Sequence, residues 1–118
     1  MQTKEQQIVT LSMEMIQHYQ GDPRRIQHFL KVHSLARLIG QEEKLDGETQ
    51  FILEAAALVH DIGIKRAEKK YGKCGGKLQE QEGPSEASKM LKRLGFEAKF
   101  IERVCYLVGR HHTYDDIS

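Results

Sequence analysis

The chain has 118 residues, of which 18 are basic and 17 acidic, and its formal net charge is +1. This length predicts one domain with a hydrophobic core of its own. The balanced charge argues against a nucleic-acid or membrane-surface partner, and no apolar stretch approaches the roughly 18 residues that a membrane span needs. The polar N-terminus lacks a signal-peptide core and two cysteines do not make a disulfide framework, so we expect a cytoplasmic protein.

Apolar residues recur at helical spacing along most of the chain, which predicts an all-α fold of about five helices. The first helix is predicted over about residues 4–19. The second is predicted over about residues 23–39, with Asp22 as its N-cap and Gly40 as its C-cap. The third, over about residues 48–60, is apolar on most sides and is therefore expected to be the central, most buried helix.

The second half of the chain is more polar. Residues 65–82 are rich in Lys and Gly, which favours a long loop. A fourth helix is predicted to begin at residues 83–85, Gly-Pro-Ser, and to end near Leu94. A fifth is predicted over about residues 98–109, and a polar tail follows it.

Three residues suit a divalent metal ion. His60 and Asp61 are adjacent at the end of the buried third helix, where both side chains can reach one point. His28 shares its helical register with Val32 and Leu35, so we expect it on the buried face of the second helix. Each of these residues alone is typical of an ordinary core or surface position. Imidazole nitrogens and a carboxylate oxygen together suit a borderline or hard divalent ion.

Two stretches carry a family resemblance. Residues 54–63, Glu-Ala-Ala-Ala-Leu-Val-His-Asp-Ile-Gly, resemble the signature of the HD superfamily of metal-dependent phosphohydrolases. Residues 25–28, Arg-Ile-Gln-His, followed by Val32 and Ala36, resemble the motif of the superfamily that carries its first His. The order, with one His on a helix and the His-Asp pair roughly thirty residues later, also resembles the superfamily. The resemblance covers about residues 23–112 and implies a single-domain HD-type helical bundle.

The resemblance also implies a metal centre and a reaction. His28, His60 and Asp61 match the metal ligands of the superfamily, and the ion implied is Mn, Fe, Co, Zn or Mg. The implied function is a phosphohydrolase that acts on a nucleotide or another small phosphorylated metabolite through a metal-activated water.

Other residues are given roles by the same resemblance. Asp61 is expected to orient the attacking water as a catalytic residue, and Lys65 is expected to reach a phosphate, although many members carry Lys one residue earlier. Arg25, His111 and His112 are expected to contact the substrate. For Arg25, and for the two terminal histidines, a solvated surface position is the alternative interpretation.

The chain departs from the family pattern in two ways. The last metal ligand of the superfamily is an Asp on a later helix, and here only Asp115 and Asp116 follow, in the polar tail. We therefore expect an HD domain over residues 1–118 without the C-terminal ligand-bearing helix. Gln79 stands where two-metal members have a His, which favours one metal, whereas His111 resembles a later His of those members.

Two further interpretations follow from these departures. The chain is either an enzyme or a non-catalytic HD module that binds metal or ligand without turnover. Nucleic-acid binding by the Lys-rich loop is disfavoured by the near-zero charge and by the lack of an aromatic platform. If these 118 residues are the whole protein, a missing closing helix leaves apolar surface, and we expect a homo-oligomer.

Overall fold

A computed structural model describes residues 2–62 and 76–110, with the side chains of residues 76–82 and of residue 110 outside the description. Within these ranges the chain forms five helices and no strand, which confirms the all-α prediction. By its internal contacts the chain divides into two compact units, Met1–Val59 and His60–Ser118. No helix among the described residues combines the length and apolar character that a membrane crossing requires.

The first unit begins with helix α1, Lys4–His18. Its N-terminus is a capping box: the Thr3 hydroxyl accepts from the backbone N–H of Gln6, and the Gln6 side chain accepts from that of Thr3. This arrangement satisfies two amide groups that otherwise lack a partner. Leu11 and Met15 lie one turn apart on the buried face of α1.

Helix α2, Pro23–Glu42, begins as the sequence predicts. The Asp22 side chain accepts a 3.3 Å hydrogen bond from the backbone N–H of Arg25, and Pro23 occupies the first helical position, where no N–H is needed. The predicted end at Gly40 is wrong, because α2 continues to Glu42 and Gly40 is buried inside it. A Cβ atom at Gly40 would overlap the side-chain amide of Gln50 on the next helix. This glycine therefore permits a close approach and does not end the helix.

The buried face of α2 also differs from the prediction. Leu35 and Ile39 are 49% and 60% exposed, and His28 is exposed, so the face that they share is turned toward solvent. Phe29, which belongs to the predicted apolar stripe of α2, is buried, and so is Gly40. The packed face therefore overlaps the predicted stripe on the side of Phe29 and leaves the side of His28, Leu35 and Ile39 exposed.

Helix α3, Gly47–Val59, packs against both α1 and α2 and is largely buried, as predicted. Asp46 precedes it and accepts hydrogen bonds from the backbone N–H and the hydroxyl of Thr49, at 2.8 and 2.9 Å. These bonds hold the pKa of the Asp46 carboxyl below its usual range, because they stabilise the ionised form. The buried residues of the helix are Phe51, Ala55, Ala56, Ala57, Leu58 and Val59.

The described residues of the second unit form two helices that pack against each other, α4 over Gly76–Arg93 and α5 over Ala98–Arg110. The prediction that residues up to 82 form a loop is wrong for residues 76–82, because α4 runs through Pro84 without ending there. A proline inside a helix removes one backbone donor but does not force the helix to begin anew. A Cβ atom at Gly83 would lie 2.9 Å from Val108, so the glycine lets the two helices approach closely.

Candidate metal centre

The adjacent residues His60 and Asp61 follow the last residue of α3 and lie in a turn. The His60 side chain is 7% exposed and the Asp61 side chain 15% exposed. His60 Nε2 lies 3.0 Å from Asp61 Oδ2, within hydrogen-bond distance. Because α3 ends at Val59, the two side chains are not held apart by helical geometry. An imidazole nitrogen and a carboxylate oxygen are thus directed to the same place.

Leu58, Val59 and Ile62 anchor this turn. Each of the three is almost fully buried, with an exposed fraction of 1% or less. Apolar anchors on both sides of the pair fix the backbone that carries it. His60 is the buried polar residue among the described residues, and burial of an imidazole requires a polar partner. Asp61 supplies such a partner.

His28 lies in the second turn of α2, and its side chain is exposed. The expectation that it faces the buried side of α2 is therefore wrong. An exposed His28 can still bind a metal ion, because a neutral imidazole has one nitrogen with a free lone pair whether the side chain is buried or exposed. Among the described residues, the group of His, Cys, Asp and Glu side chains that could hold a metal ion consists of His28, His60 and Asp61.

The donor atoms of this group fit a divalent cation. Two imidazole nitrogens and one carboxylate oxygen together suit a borderline or hard divalent ion. The three residues also contribute one negative charge when both rings are neutral, so they offset part of the charge of the ion. Three protein ligands leave coordination positions for water or substrate.

Arg25 is held at the N-terminus of α2. Its Nε atom lies 3.2 Å from Asp22 Oδ2, and its side chain is 30% exposed. The guanidinium group has further donors beyond the one that meets Asp22. Its predicted contact with substrate stays a prediction. The neighbouring Arg24 is exposed, as expected of a solvated helix N-terminus.

Several predicted site residues lie outside the described residues. They are Lys65, His111 and His112, together with Asp115 and Asp116 of the tail and the side chain of Gln79. Their roles remain predictions.

A polar cluster on α2 and α3 was missed by the sequence analysis. His33 Nε2 lies 3.0 Å from Glu54 Oε1, and the Gln50 side-chain amide donates a 2.8 Å hydrogen bond to Glu54 Oε2. The signal was present in α3, where Glu54 is the one charged residue between Phe51 and Val59. A charge in such an apolar segment needs a partner, although the sequence does not say which residue provides it.

The fold and this donor set together define an all-α protein with a candidate His/Asp metal centre. The family model of the HD domain matches residues 25–118. The chain therefore belongs to the HD domain family. Neither the curated proteins nor the solved structures that were compared with the chain gave a match.

Proposed function

We propose that this chain is a metal-dependent phosphohydrolase that acts on a nucleotide or another small phosphorylated metabolite. The observation that carries the proposal is the His60–Asp61 pair, with its 3.0 Å separation and its place in an HD domain. His28, His60 and Asp61 are the proposed ligands of one divalent ion. Family membership alone supports the class of reaction and leaves the substrate open.

The proposed chemistry divides between the ion and the protein. When bound, a divalent ion lowers the pKa of a water molecule and offsets the charge that builds on phosphoryl oxygens. Asp61 has two carboxylate oxygens, so one can hold the ion while the other accepts a hydrogen bond from the water and orients it. The low exposure of His60 and Asp61 restricts competing solvent around them and strengthens their electrostatic interactions.

Basic residues are proposed to bind the phosphate of the substrate. A phosphorylated substrate carries negative charge, and Arg25 and Lys65 are the proposed cations for it. His111 and His112 are proposed to contact the substrate as well. A guanidinium group that already meets Asp22 through Nε retains its terminal nitrogens for a phosphate.

A second candidate function is metal or ligand binding without turnover. The observation that favours it is that residues 76–110, the part of the second unit described after the His60–Asp61 pair, contain neither Asp nor His. No residue on α4 or α5 therefore matches the additional aspartate ligand of the superfamily. A three-ligand site binds its ion more weakly and presents a different reactivity.

Phosphate release separates the two candidates. The parent protein and Asp61→Asn would be incubated with Mn²⁺ or Fe²⁺ and a panel of nucleoside monophosphates and sugar phosphates. The enzyme hypothesis predicts hydrolysis of at least one ester, reduced by about a hundredfold or more in Asp61→Asn. His33→Ala, on the same helix as His28, is the matched control and should retain activity. A protein that binds the metal and hydrolyses no ester would support the alternative.

Self-association of the chain can be measured directly. A homo-oligomer is proposed on the strength of apolar side chains that α2 exposes, among them Leu38 and Ile39, each 60% exposed. Light scattering coupled to size-exclusion chromatography measures the mass in solution. A monomer at micromolar concentration would contradict self-association. A cytoplasmic location is likewise a proposal.

A further inference from the structure

The first unit contains a groove that the proposed function does not use. It lies between α1, α2 and α3 and has a volume of about 860 Å³. Sites for small organic molecules have volumes of about 300–1,000 Å³, so the groove is of suitable size. None of His28, His60 and Asp61 lines it.

The polar part of the groove is the cluster of His33, Gln50 and Glu54. All three residues line the groove, and the His33 and Glu54 side chains are each 15% exposed. Glu54 is fixed from two sides, by His33 at 3.0 Å and by Gln50 at 2.8 Å. A carboxylate held this way is preorganised, because neither of its oxygens needs to move to meet a ligand.

The cluster presents hydrogen-bond acceptors. An ionised carboxylate accepts about four hydrogen bonds, and those from His33 and Gln50 use one position on each oxygen of Glu54. Because His33 meets Glu54 through Nε2, the neutral ring carries its proton there, and Nδ1 is then an acceptor. A ligand that satisfies these groups must bring N–H or O–H donors.

The remaining walls combine neutral polar side chains with apolar ones and supply no unpaired cation. Ile8 and Phe51 line the groove beside the cluster. The cations at the rim are each matched by a carboxylate: Arg37 lies 4.0 Å from Glu5, and Lys4 lies 3.4 Å from Glu48. These pairs reduce the attraction of the groove for an anion. The combination favours an apolar body with a donor group at one end.

We propose that this groove binds a small amphipathic amine or amidine, with its N–H donors on Glu54 and its hydrocarbon or aromatic part against Ile8 and Phe51. A cationic donor group forms charge-assisted hydrogen bonds with a carboxylate, which are stronger than those between neutral groups. Binding at this groove requires neither a metal ion nor hydrolysis. The proposal therefore stands apart from the proposed phosphohydrolase activity.

Two probes of equal size and opposite hydrogen-bonding character test the proposal. Benzamidine brings donors on an aromatic ring, and benzoate brings acceptors on the same ring. Each would be titrated into the ¹⁵N-labelled full chain, with the backbone amide resonances of residues 33, 50, 51 and 54 as the readout. Benzamidine should shift these resonances, and benzoate should leave them in place. Equal effects of the two probes, or no effect of benzamidine, would overturn the proposal.

Variants assign the effect to the groove. Glu54→Gln should weaken benzamidine binding by about tenfold or more, because it removes the charged acceptor. Glu43→Gln, at an exposed position that does not line the groove, is the matched control and should bind as the parent does. If Glu54→Gln does not fold, Gln41→Trp serves instead, since it adds an indole at an exposed lining position and should block the groove. Undiminished binding in the folded Glu54→Gln or Gln41→Trp protein would refute the assignment.

Discussion

His60 Nε2 and Asp61 Oδ2 lie 3.0 Å apart although the two residues are neighbours in the chain. Successive side chains of an uninterrupted helix diverge by about 100°. The pair meets because α3 ends at Val59 and the chain turns at residues 60–62. The turn is held by buried apolar residues, so the geometry that suits a shared ligand is built into the backbone.

The hydrogen bond between His33 and Glu54 is expected to stabilise the packing of α2 on α3. His33→Ala removes one of two partners of a carboxylate that is 15% exposed. We expect the free energy of unfolding to fall by about 1–3 kcal/mol, because hydrogen bonds to charged groups are worth that much when one partner is lost. Urea denaturation followed by circular dichroism measures the change.

Arg37→Ala is the control for this prediction. Arg37 lies on the same helix and meets Glu5 at 4.0 Å, but the two side chains are 53% and 85% exposed. Pairs of this kind contribute about 0–1 kcal/mol. If Arg37→Ala lowered the free energy of unfolding as much as His33→Ala does, burial would not determine how much each pair contributes to stability.

Gly40 is expected to resist substitution even though it lies inside a helix. Gly→Ala in a helix interior usually stabilises by about 1 kcal/mol. Here the added Cβ overlaps the Gln50 amide, which is fixed by its hydrogen bond to Glu54. We therefore expect Gly40→Ala to lower the free energy of unfolding by about 1–3 kcal/mol.

A double-mutant cycle isolates the cause. In the Gln50→Ala background the overlap is gone, so Gly40→Ala should recover its usual stabilising effect. Gly47→Ala is a control, because its Cβ would meet only Lys4 Nζ, at an ordinary 3.6 Å. Additive effects of Gly40→Ala and Gln50→Ala would argue against the close approach of α2 and α3.

The buried face of α2 explains why part of the site could be predicted and part could not. The Asp22 cap and the Pro23 start are local, and the structure has both. Local sequence does not determine whether the side of α2 that carries His28 or the side that carries His33 is buried. The outcome depends in part on Gly40, because the absence of a side chain there permits an approach to Gln50 of α3 that a Cβ atom would block. Hydrophobic periodicity counts apolar side chains and therefore overlooks a glycine.

The beginning of α4 shows a second limit. Glycines at 75, 76 and 83 and the proline at 84 all favour a break, yet α4 runs from Gly76 to Arg93. Gly83 is explained by the close approach of Val108, a contact from α5 that local sequence does not reveal. The His-Asp pair, by contrast, can be predicted because the two residues are adjacent, end an apolar segment and stand in a stretch that resembles the HD signature.

The cap of α3 predicts a pH dependence. The Thr49 backbone N–H, and then the Thr49 hydroxyl, lower the pKa of Asp46 from its ordinary value of 3.8. A depressed folded-state pKa contributes stability that is present above pH 3.8 and lost as the pH falls through the lower folded value. The difference in unfolding free energy between the parent and Asp46→Ala should therefore shrink on acidification. A difference that is constant between neutral pH and strong acid would contradict the ionised cap.

Cys105 is expected to react slowly with alkylating reagents. Burial raises the pKa of its thiol, an effect that Lys92 only partly opposes, and its Sγ donates a 3.4 Å hydrogen bond to the carbonyl oxygen of Pro84. In a Cys74→Ser background, iodoacetamide at pH 8 should react roughly tenfold or more slowly than with a small free thiol. The rate in urea should approach that of the free thiol. Equal rates in the folded and unfolded protein would contradict the prediction.

The central claim is that His28, His60 and Asp61 hold a divalent ion, and elemental analysis after chelator-free purification tests it most directly. The parent protein should contain near-stoichiometric metal, or acquire it from added Mn²⁺ or Fe²⁺. His28→Ala, His60→Ala and Asp61→Asn should lose it while remaining helical by circular dichroism, and His33→Ala should keep it. A folded parent that binds no metal under any of these conditions would contradict the claim.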